Sequence, residues 1–342
     1  MTTDRRDFLK AAGAIGSIAA TSAAFTGTAG VAHAAPPRTG PRGMARSLTL
    51  LTLRRNGEYR LGAKTDRGVL DVKEAAGLLH MPAPATMDDL LQNQDGPNLN
   101  ALVDAALKAG SSAKTAFLKD EAVEHGPLVT RPEKIVCVGL NYRKHAKEVN
   151  MPIPKQPVLF NKFNNSLSEH KAKIKLPVDV ATKFDHEVEL VIVMGKEARN
   201  VSEADSHNFV AGYATGNDFS ARDLQLETGG QWMIGKTLDQ FAPLGPHLVT
   251  ADQVDPDNLK IECRINGEPR QSSNTNDMIF NTRQIISYVS RHFTLRPGDI
   301  IFTGTPEGVI QGKPADKRVW LKAGDKVACS LEKLGELTFD LV

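Results

Sequence analysis

Alternating apolar and polar positions predict paired strands early in the chain, followed by two short helices. The stretch SLTLLTLRRNGEYRLGAKTDRGVLDV alternates on both sides of Asn56-Gly57. Asn-Gly between two alternating runs is typical of a tight β-hairpin turn. ATMDDLLQNQDG and NLNALVDAALKAGS then carry apolar residues at helical spacing. Together these patterns predict a small α+β domain over residues 46–128.

A different pattern fills residues 129–342, where many short apolar runs are separated by Gly, Pro, Asn and Asp. RPEKIVCVGLNY opens this region with a predicted strand. Similar short apolar runs bounded by turn residues follow in GDIIFTGTP and GDKVACSLEKLGELTFDLV. Helical periodicity is confined to SEADSHNFVAGYA and NTRQIISYVSRHF. Short strands that do not alternate with helices favour a mixed, mostly β roll or barrel over repeated βα units. The predicted fold class is therefore α+β, mostly β.

Residues 1–34 have the features of an export signal of the twin-arginine type. Arg5 and Arg6 precede a weakly apolar stretch rich in Ala and Gly, and an Ala-His-Ala tripeptide ends at Ala34. Gly, Ser and Thr interrupt the apolar stretch, which disfavours a membrane-spanning helix. A Pro- and Gly-rich linker follows at residues 35–45. The pattern predicts cleavage near Ala34 and a mature protein in the periplasm or outside the cell.

Charge and cysteine usage narrow the function classes. The 342 residues have a formal net charge of +2 and no long basic run, which argues against a nucleic-acid partner. Cys137, Cys263 and Cys329 are widely spaced and form neither a CxxC metal site nor a disulfide framework. We therefore expect three buried thiols.

Two glutamates lie at the start of an otherwise apolar strand in KFDHEVELVIVMG. Side chains two apart on a strand share a face, so Glu187 and Glu189 stand side by side, where their charges repel and burial is costly. A divalent cation would remove both problems, and Asp218 in ATGNDFSARD is a candidate third ligand. All-oxygen ligation favours Mg²⁺, Mn²⁺ or Ca²⁺ over zinc. A solvent-facing glutamate pair explains the spacing equally well, so both explanations stay open on spacing alone.

Three further motifs contain candidate functional residues. In NYRKHAKE, one helical turn would place Glu148 beside His145, as a water-activating base requires, although a surface pair is the default alternative. GGQWMIGKT fits the phosphate-loop pattern by its letters, but the prolines that follow oppose the helix which that loop needs. Its Lys236 is either solvated or functional. RPGDIIFTGTPEG ends a strand at Thr305, either as a simple turn or as amides and a hydroxyl that face a ligand carboxylate.

Taken in order, these pieces resemble the fumarylacetoacetate hydrolase family. The segments that carry the resemblance are VGLNYRKHAKE, PVLFNKF, DHEVELVIVMGKEARNVS, GNDFSARDLQ, QWMIGKTLDQFAPLGP, NGEPRQSSNTNDMIF and RPGDIIFTGTPEGV. They cover roughly residues 131–310. QSSNTNDMIF and Lys162-Phe163 look most like the branch of fumarylacetoacetate hydrolase domain-containing proteins and 2-hydroxyhepta-2,4-diene-1,7-dioate isomerase-like proteins.

The resemblance implies a fold, an assembly and a set of roles. The implied catalytic domain is a mixed β-sandwich roll or barrel over residues 129–342, in a homodimer. The implied metal is Mg²⁺ or Mn²⁺, with Ca²⁺ as a further candidate. The implied metal ligands are Glu187, Glu189 and Asp218, the catalytic residues His145, Glu148 and Lys236, and the substrate contacts Arg222, Gln225 and Thr305.

Two residues depart from the family pattern. Glu307 stands where a small residue or proline is more usual, and Ile310 replaces a common glycine. Both changes leave the size and the charge of the substrate open.

The predicted function is a divalent-metal-dependent hydrolase that cleaves the C–C bond of a 3-acylpyruvate-type 2-oxo acid through an enolate. In this mechanism His145, oriented by Glu148, activates water, and Lys236 stabilises the oxyanion. The same enolate serves oxaloacetate decarboxylation or tautomerisation and the isomerisation of 2-hydroxymuconate-type diacids, which remain alternatives. From other classes, a phosphate-loop nucleotidase would bind nucleotides through Lys236 and Thr237, and a non-catalytic binding protein would bind metal and a 2-oxo acid without turnover.

Overall fold

The computed structural model describes residues 42–342, so the predicted signal and most of the predicted linker lie outside the described residues. The described residues 42–342 cluster as one compact unit. The helices of the described part are α1 (Val72–Leu79), α2 (Met87–Asn93), α3 (Gly96–Lys108), α4 (Arg143–Glu148), α5 (Arg222–Leu226), α6 (Met233–Lys236) and α7 (Thr282–His292). None of these helices is long and apolar enough to cross a membrane.

Strands outnumber helices over the same residues, as the pattern of short apolar runs predicts. They are β1 (Thr49–Arg55), β2 (Glu58–Thr65), β3 (Gly68–Asp71), β4 (Phe117–Leu118), β5 (Ile135–Gly139), β6 (Val158–Lys162), β7 (Leu167–Ser168), β8 (Ala172–Ile174), β9 (Phe184–Asp185), β10 (Val188–Met194), β11 (Val210–Asn217), β12 (Ser220–Ala221), β13 (Ala242–Pro243), β14 (Leu248–Thr250), β15 (Lys260–Ile265), β16 (Glu268–Asn274), β17 (Ile300–Phe302), β18 (Lys326–Leu331) and β19 (Gly335–Leu341). The fold is α+β and mostly β, which confirms the predicted class.

Two large sheets organise the described chain. The first has ten strands in the order β4-β3-β2-β1-β14-β11-β10-β17-β5-β6, and the second has five in the order β16-β15-β18-β19-β8. The predicted hairpin joins β1 to β2, with Asn56 and Gly57 at φ of 52° and 76°, as this turn type requires. Because β1 also pairs with β14, the early strands continue the central sheet. A separate domain over residues 46–128 stays a prediction.

The central strand β10 is buried on both faces. Leu190 and Ile192 pack into one hydrophobic core, whereas Val191 and Val193 pack into another. A strand that is covered on both sides needs no polar alternation, which explains the unbroken apolar run that ends at Met194.

The helix predicted within SEADSHNFVAGYA is wrong over most of its length. Only Ser206–Phe209 form a short 3₁₀ turn, and the remainder enters β11, which pairs with β10 in the middle of the sheet. Every residue of β11 is buried, so its apolar positions lack the period of two that identifies a strand in the sequence. Pairing with β10, which a local sequence pattern does not reveal, decides the structure of this segment.

The helix predicted within NTRQIISYVSRHF is confirmed as α7, and a capping box fixes its start. The Asn281 side chain accepts a hydrogen bond from the Gln284 backbone N–H at 3.0 Å, and the Gln284 side chain accepts from the Asn281 backbone N–H at 3.0 Å. The two bonds satisfy N–H groups that the first turn of a helix leaves without partners.

Asn281→Ala is expected to lower the free energy of unfolding by about 1 kcal/mol, because the helix loses its N-cap. Urea unfolding followed by circular dichroism measures the change. Arg283→Ala, at an exposed position of the same helix turn, serves as the control and should change the stability far less. Equal losses in both variants would contradict the capping argument.

Candidate active site

The pairing of β10 with β11 brings three buried carboxylates together. Val188 lies opposite Asn217, so Glu187 and Asp218 extend the pair at the end of the two strands, where the Asp218 N–H donates to the Glu187 carbonyl at 2.8 Å. Oxygen atoms of Glu187, Glu189 and Asp218 lie within 4.8 Å of one another. At most 5% of any of the three residues is exposed, so a solvent-facing strand does not explain the two glutamates.

Two cations balance Glu187. The Lys236 ammonium donates to Glu187 Oε2 at 2.6 Å and to Asp218 Oδ2 at 2.7 Å, and Arg222 Nη2 donates to Glu187 Oε1 at 2.6 Å. Burial alone would raise the pKa of Glu187, but the charges of Arg222 and Lys236 outweigh it and hold that pKa well below its usual value. Burial likewise opposes the charge of Lys236, and the carboxylates of Asp218 and Glu187 raise its pKa nonetheless. Glu187 and Lys236 are therefore ionised at neutral pH.

Glu189 is left without a cation of its own. The Gly304 N–H donates to its Oε2 atom at 2.7 Å, and burial together with the charges of Asp218 and Glu187 raises its pKa well above the usual value. Asp218 Oδ1 is also buried without a hydrogen bond. Lys162 Nζ forms an ion pair with that oxygen at 2.7 Å, and its hydrogen bonds go to the carbonyls of Phe219, Lys236 and Phe241.

These features fit a hard divalent cation. Glu189 and Asp218 Oδ1 supply oxygen atoms with remaining acceptor capacity, and a bound cation would supply the counter-charge that ionised Glu189 lacks. An all-carboxylate set suits Mg²⁺, Mn²⁺ or Ca²⁺. We expect Glu187, Glu189 and Asp218 to hold the ion.

The predicted dyad forms on helix α4. His145 Nδ1 lies 3.2 Å from Glu148 Oε2, and the Gly308 N–H donates to Glu148 Oε1 at 2.9 Å. A carboxylate that is fixed by a backbone amide can orient the imidazole through its Nδ1 atom. The pair spans one helical turn, as its spacing predicts.

Gly312 packs directly against Glu148. A Cβ atom added at this glycine would lie 2.3 Å from Glu148 Cδ, so the carboxylate must leave its position beside His145. We expect Gly312→Ala to keep the fold and to lower kcat about tenfold, because the imidazole loses its orienting partner. Steady-state kinetics and thermal unfolding measure the two effects. Gly77→Ala is the control, since a Cβ there meets nothing within 4 Å. An unchanged kcat in Gly312→Ala would contradict the orienting role of Glu148.

Arg222 is bound to other protein groups on three sides. Its Nε donates to Asp185 Oδ2 at 2.8 Å, its Nη1 to Gln225 Oε1 at 2.8 Å, and its Nη2 to Glu187. In this structure Arg222 therefore holds Glu187 in place, and Gln225 keeps its amide nitrogen available for a ligand. The Thr305 hydroxyl donates to the Val188 carbonyl at 3.0 Å and accepts from Gln271 at 2.8 Å.

One cavity of about 370 Å³ collects these groups. All nine candidate residues line it, and their individual roles stay predictions: His145, Glu148, Glu187, Glu189, Asp218, Arg222, Gln225, Lys236 and Thr305. Val138, Phe160, Leu226, Trp232 and Val309 form apolar parts of the wall. The volume lies in the usual range for a small-molecule site. Carboxylates, one imidazole and apolar walls together suit acid–base chemistry on a small anionic substrate.

Sequence reasoning missed Asp185, which ties several parts of the site together. Its carboxylate accepts from Arg222 and also from the Ile310 and Gln311 N–H groups at 2.8 and 3.0 Å. Lys162 was noticed only as part of the resemblance, although its buried ammonium organises three carbonyls around Asp218. A charged residue among apolar neighbours is the signal for Lys162, as it is for Glu189, whereas Asp185 lies between Phe184 and His186 and has no such local signal.

The phosphate-loop explanation of GGQWMIGKT is wrong. Helix α5 rather than a buried strand precedes the motif, and α6 ends at Lys236 instead of starting there. The Lys236 ammonium binds carboxylates, which would repel a phosphate, and the Thr237 hydroxyl accepts from the Phe163 N–H at 2.8 Å. The letters of the motif therefore match by chance.

The expectation of buried thiols is confirmed. Cys137, Cys263 and Cys329 are free and buried. Cys263 and Cys329 lie opposite each other on β15 and β18, with their Sγ atoms 3.7 Å apart.

Comparison with known proteins supports the resemblance. A sequence profile described as "Fumarylacetoacetate (FAA) hydrolase C-terminal" matches residues 134–342. A Dictyostelium discoideum protein named fumarylacetoacetate hydrolase domain-containing protein 2 homolog is 49% identical over 217 residues, which cover 60% of this chain and 70% of that protein. A Bos taurus protein named oxaloacetate tautomerase FAHD2A, mitochondrial, is 44% identical over 271 residues, with coverages of 78% and 82%.

Solved structures give the same result for the fold. Fumarylacetoacetate hydrolase from Exiguobacterium antarcticum superposes with a TM-score of 0.69 at 30% identity, covering 86% of this chain and 99% of that one. Maleylpyruvate hydrolase from a Sphingobium strain, solved in complex with manganese(II) and pyruvate, has a TM-score of 0.69 at 30% identity, with coverages of 86% and 98%.

The predicted export is contradicted by the same comparison. The Bos taurus relative and a Homo sapiens relative at 43% identity are both named as mitochondrial proteins, which disagrees with a periplasmic or extracellular location. Arginines near the N-terminus and many small residues occur in targeting segments for more than one compartment, so Arg5 and Arg6 do not identify the destination of the protein.

Proposed function

Since this chain belongs to the fumarylacetoacetate hydrolase family, we propose that it is a metal-dependent tautomerase that interconverts the keto and enol forms of a 2-oxo diacid of the oxaloacetate type. The observation that carries the proposal is the joint placement of the carboxylate triad and the His145–Glu148 pair in one cavity. The names of relatives at 43–44% identity favour this chemistry over the C–C hydrolysis predicted from the sequence.

The residues of the cavity divide the work between binding and proton transfer. A Mg²⁺ or Mn²⁺ ion held by Glu187, Glu189 and Asp218 would supply Lewis-acid stabilisation of the negative charge that develops on a 2-oxo acid. His145, oriented by Glu148, removes the proton from the carbon next to the oxo group and returns it in the reverse direction. One C–H bond breaks and one O–H bond forms, so the reaction consumes neither water nor a co-reactant.

Lys236 and Arg222 act on the carboxylates of the triad. Lys236 bridges Glu187 and Asp218, and Arg222 holds the other oxygen of Glu187. Both side chains thereby fix the ligand geometry and offset the like charges. Phe160 and Trp232 form part of an apolar wall, which would limit the water around a bound substrate and so favour proton return over hydrolysis.

Hydrolysis of a 3-acylpyruvate is the second candidate. The maleylpyruvate hydrolase structure, which contains manganese(II) and pyruvate, supports it because the fold is shared. The same His145–Glu148 pair would then activate water instead of taking a carbon-bound proton.

A homodimer also remains a prediction. Light scattering coupled to size-exclusion chromatography measures the oligomeric state.

Proton NMR separates these functions in one experiment. Protein with Mg²⁺ is offered oxaloacetate, acetylpyruvate and fumarylpyruvate in parallel. Faster exchange between enol and keto oxaloacetate, with no new product, is the expected result. Pyruvate with a free acid from either acylpyruvate would establish the hydrolase instead, and pyruvate from oxaloacetate would establish a decarboxylase. No change in any sample would leave a non-catalytic binding protein.

A further inference from the structure

Arg318 is the cation of the cavity that no role accounts for. It lines the same cavity as the triad and is half-buried. Its Nε donates to the Lys313 carbonyl at 2.9 Å, and among residues 42–342 its terminal nitrogens form no ion pair with a carboxylate. The other two lining cations, Lys236 and Arg222, are already bound to Glu187 and its neighbours.

The chain segment that carries Arg318 is fixed by the site itself. Gly308 donates to Glu148, and Ile310 and Gln311 donate to Asp185. Beyond Arg318 the segment is tied down again, where the Leu321 N–H donates to the Phe184 carbonyl at 3.0 Å. The segment that contains Arg318 is thus bonded to parts of the site on both sides of this residue, unlike a free surface loop.

A guanidinium in this position suits a carboxylate. Its planar set of donors matches the two oxygens of a carboxylate, and two parallel hydrogen bonds add direction as well as charge. The triad provides for the 2-oxo acid end of a substrate, and a second carboxylate on that substrate would meet no other unpaired cation among the described lining residues.

We propose that Arg318 binds the distal carboxylate of the substrate and makes the site selective for dicarboxylic over monocarboxylic 2-oxo acids. This inference rests on the proposed function for the placement of the substrate in the cavity. It assigns a specificity-determining role to a residue outside the nine candidates, in a segment where the chain departs from the family pattern at Ile310.

A binding experiment tests the assignment without requiring turnover. N-oxalylglycine is a diacid that carries the 2-oxo acid end but has no enolisable carbon, and its glycine methyl ester lacks the distal charge. Calorimetric titration of both into the Mg²⁺-loaded protein gives the preference for the diacid, expected to be about tenfold or more. Arg318→Met should reduce this preference to near one and leave the affinity for the ester unchanged.

Two further variants sharpen the test. Arg318→Lys keeps the charge but not the planar fork, so it should retain part of the preference. Lys317→Met removes the same charge at the exposed neighbouring position and should keep the full preference. The inference is overturned if Arg318→Met keeps the preference, or if it weakens both ligands equally. If the preference depends on Arg318 but oxaloacetate is not turned over, the proposed function fails and the inference stands.

Discussion

Glu189→Gln and Glu187→Gln are both expected to weaken Mg²⁺ or Mn²⁺ binding by at least about 100-fold, while they shift the stability of the metal-free protein in opposite directions. Burial and the charges of Asp218 and Glu187 raise the pKa of Glu189, so the folded metal-free protein carries the free-energy cost of burying or protonating this group at neutral pH. A neutral amide avoids that cost and can donate to the neighbouring oxygens. Glu189→Gln should therefore stabilise the metal-free protein by roughly 1 kcal/mol.

Glu187→Gln removes a charge that is paired twice. Lys236 and Arg222 would then be buried with less compensating negative charge, which should lower the free energy of unfolding by about 3 kcal/mol. Thermal unfolding in a chelator measures the stabilities, and calorimetry with Mn²⁺ measures the affinities. Glu227→Gln serves as the control, because its carboxylate is exposed. Tight Mn²⁺ binding by either variant of the triad would refute the ligand set, and destabilisation by Glu189→Gln would refute the charge balance described for the metal-free site.

His145→Ala is expected to lower kcat by about 10² to 10⁴ and to leave Mn²⁺ affinity unchanged. The imidazole lines the cavity but is absent from the carboxylate triad, so proton transfer is lost while the ligands remain. Lys147→Ala on the exposed side of α4 is the matched control and should keep full activity.

The division between kcat and metal binding distinguishes a catalytic role from a structural one. A variant that loses both activity and Mn²⁺ affinity would show that His145 supports the fold of the site. A variant with normal kcat would remove the dyad from the mechanism and leave the proton transfer without an assigned base.

Sequence patterns predict the hairpin, α7 and the mostly β class because each depends on local features. Asn56-Gly57 encodes its turn through positive φ, and Asn281 with Gln284 encodes a helix start. The failure at β11 is equally physical. A strand buried on both faces carries no alternation, so only its partner β10 reveals what it is.

The candidate site is likewise only partly predictable from local sequence patterns. Glu187 and Glu189 are recognisable since carboxylates in an apolar run need an explanation, but spacing alone does not decide between solvent and a cation. Burial decides against solvent, and the approach of Asp218 across β10 and β11 completes the triad. Asp185 matters through its hydrogen bond with Arg222, which lies 37 positions away in the sequence. Arg318 matters because its terminal nitrogens form no ion pair with a carboxylate among residues 42–342. Neither property is visible in a local sequence pattern.

Titration of Mn²⁺ into metal-free protein tests whether the carboxylate triad holds a metal on which tautomerisation depends. Free Mn²⁺ is followed by electron paramagnetic resonance while the conversion of enol to keto oxaloacetate is followed in the same sample. The rate should rise in proportion to bound Mn²⁺ and level off at one ion per chain. A full rate without metal, or one bound ion without acceleration, would contradict this dependence.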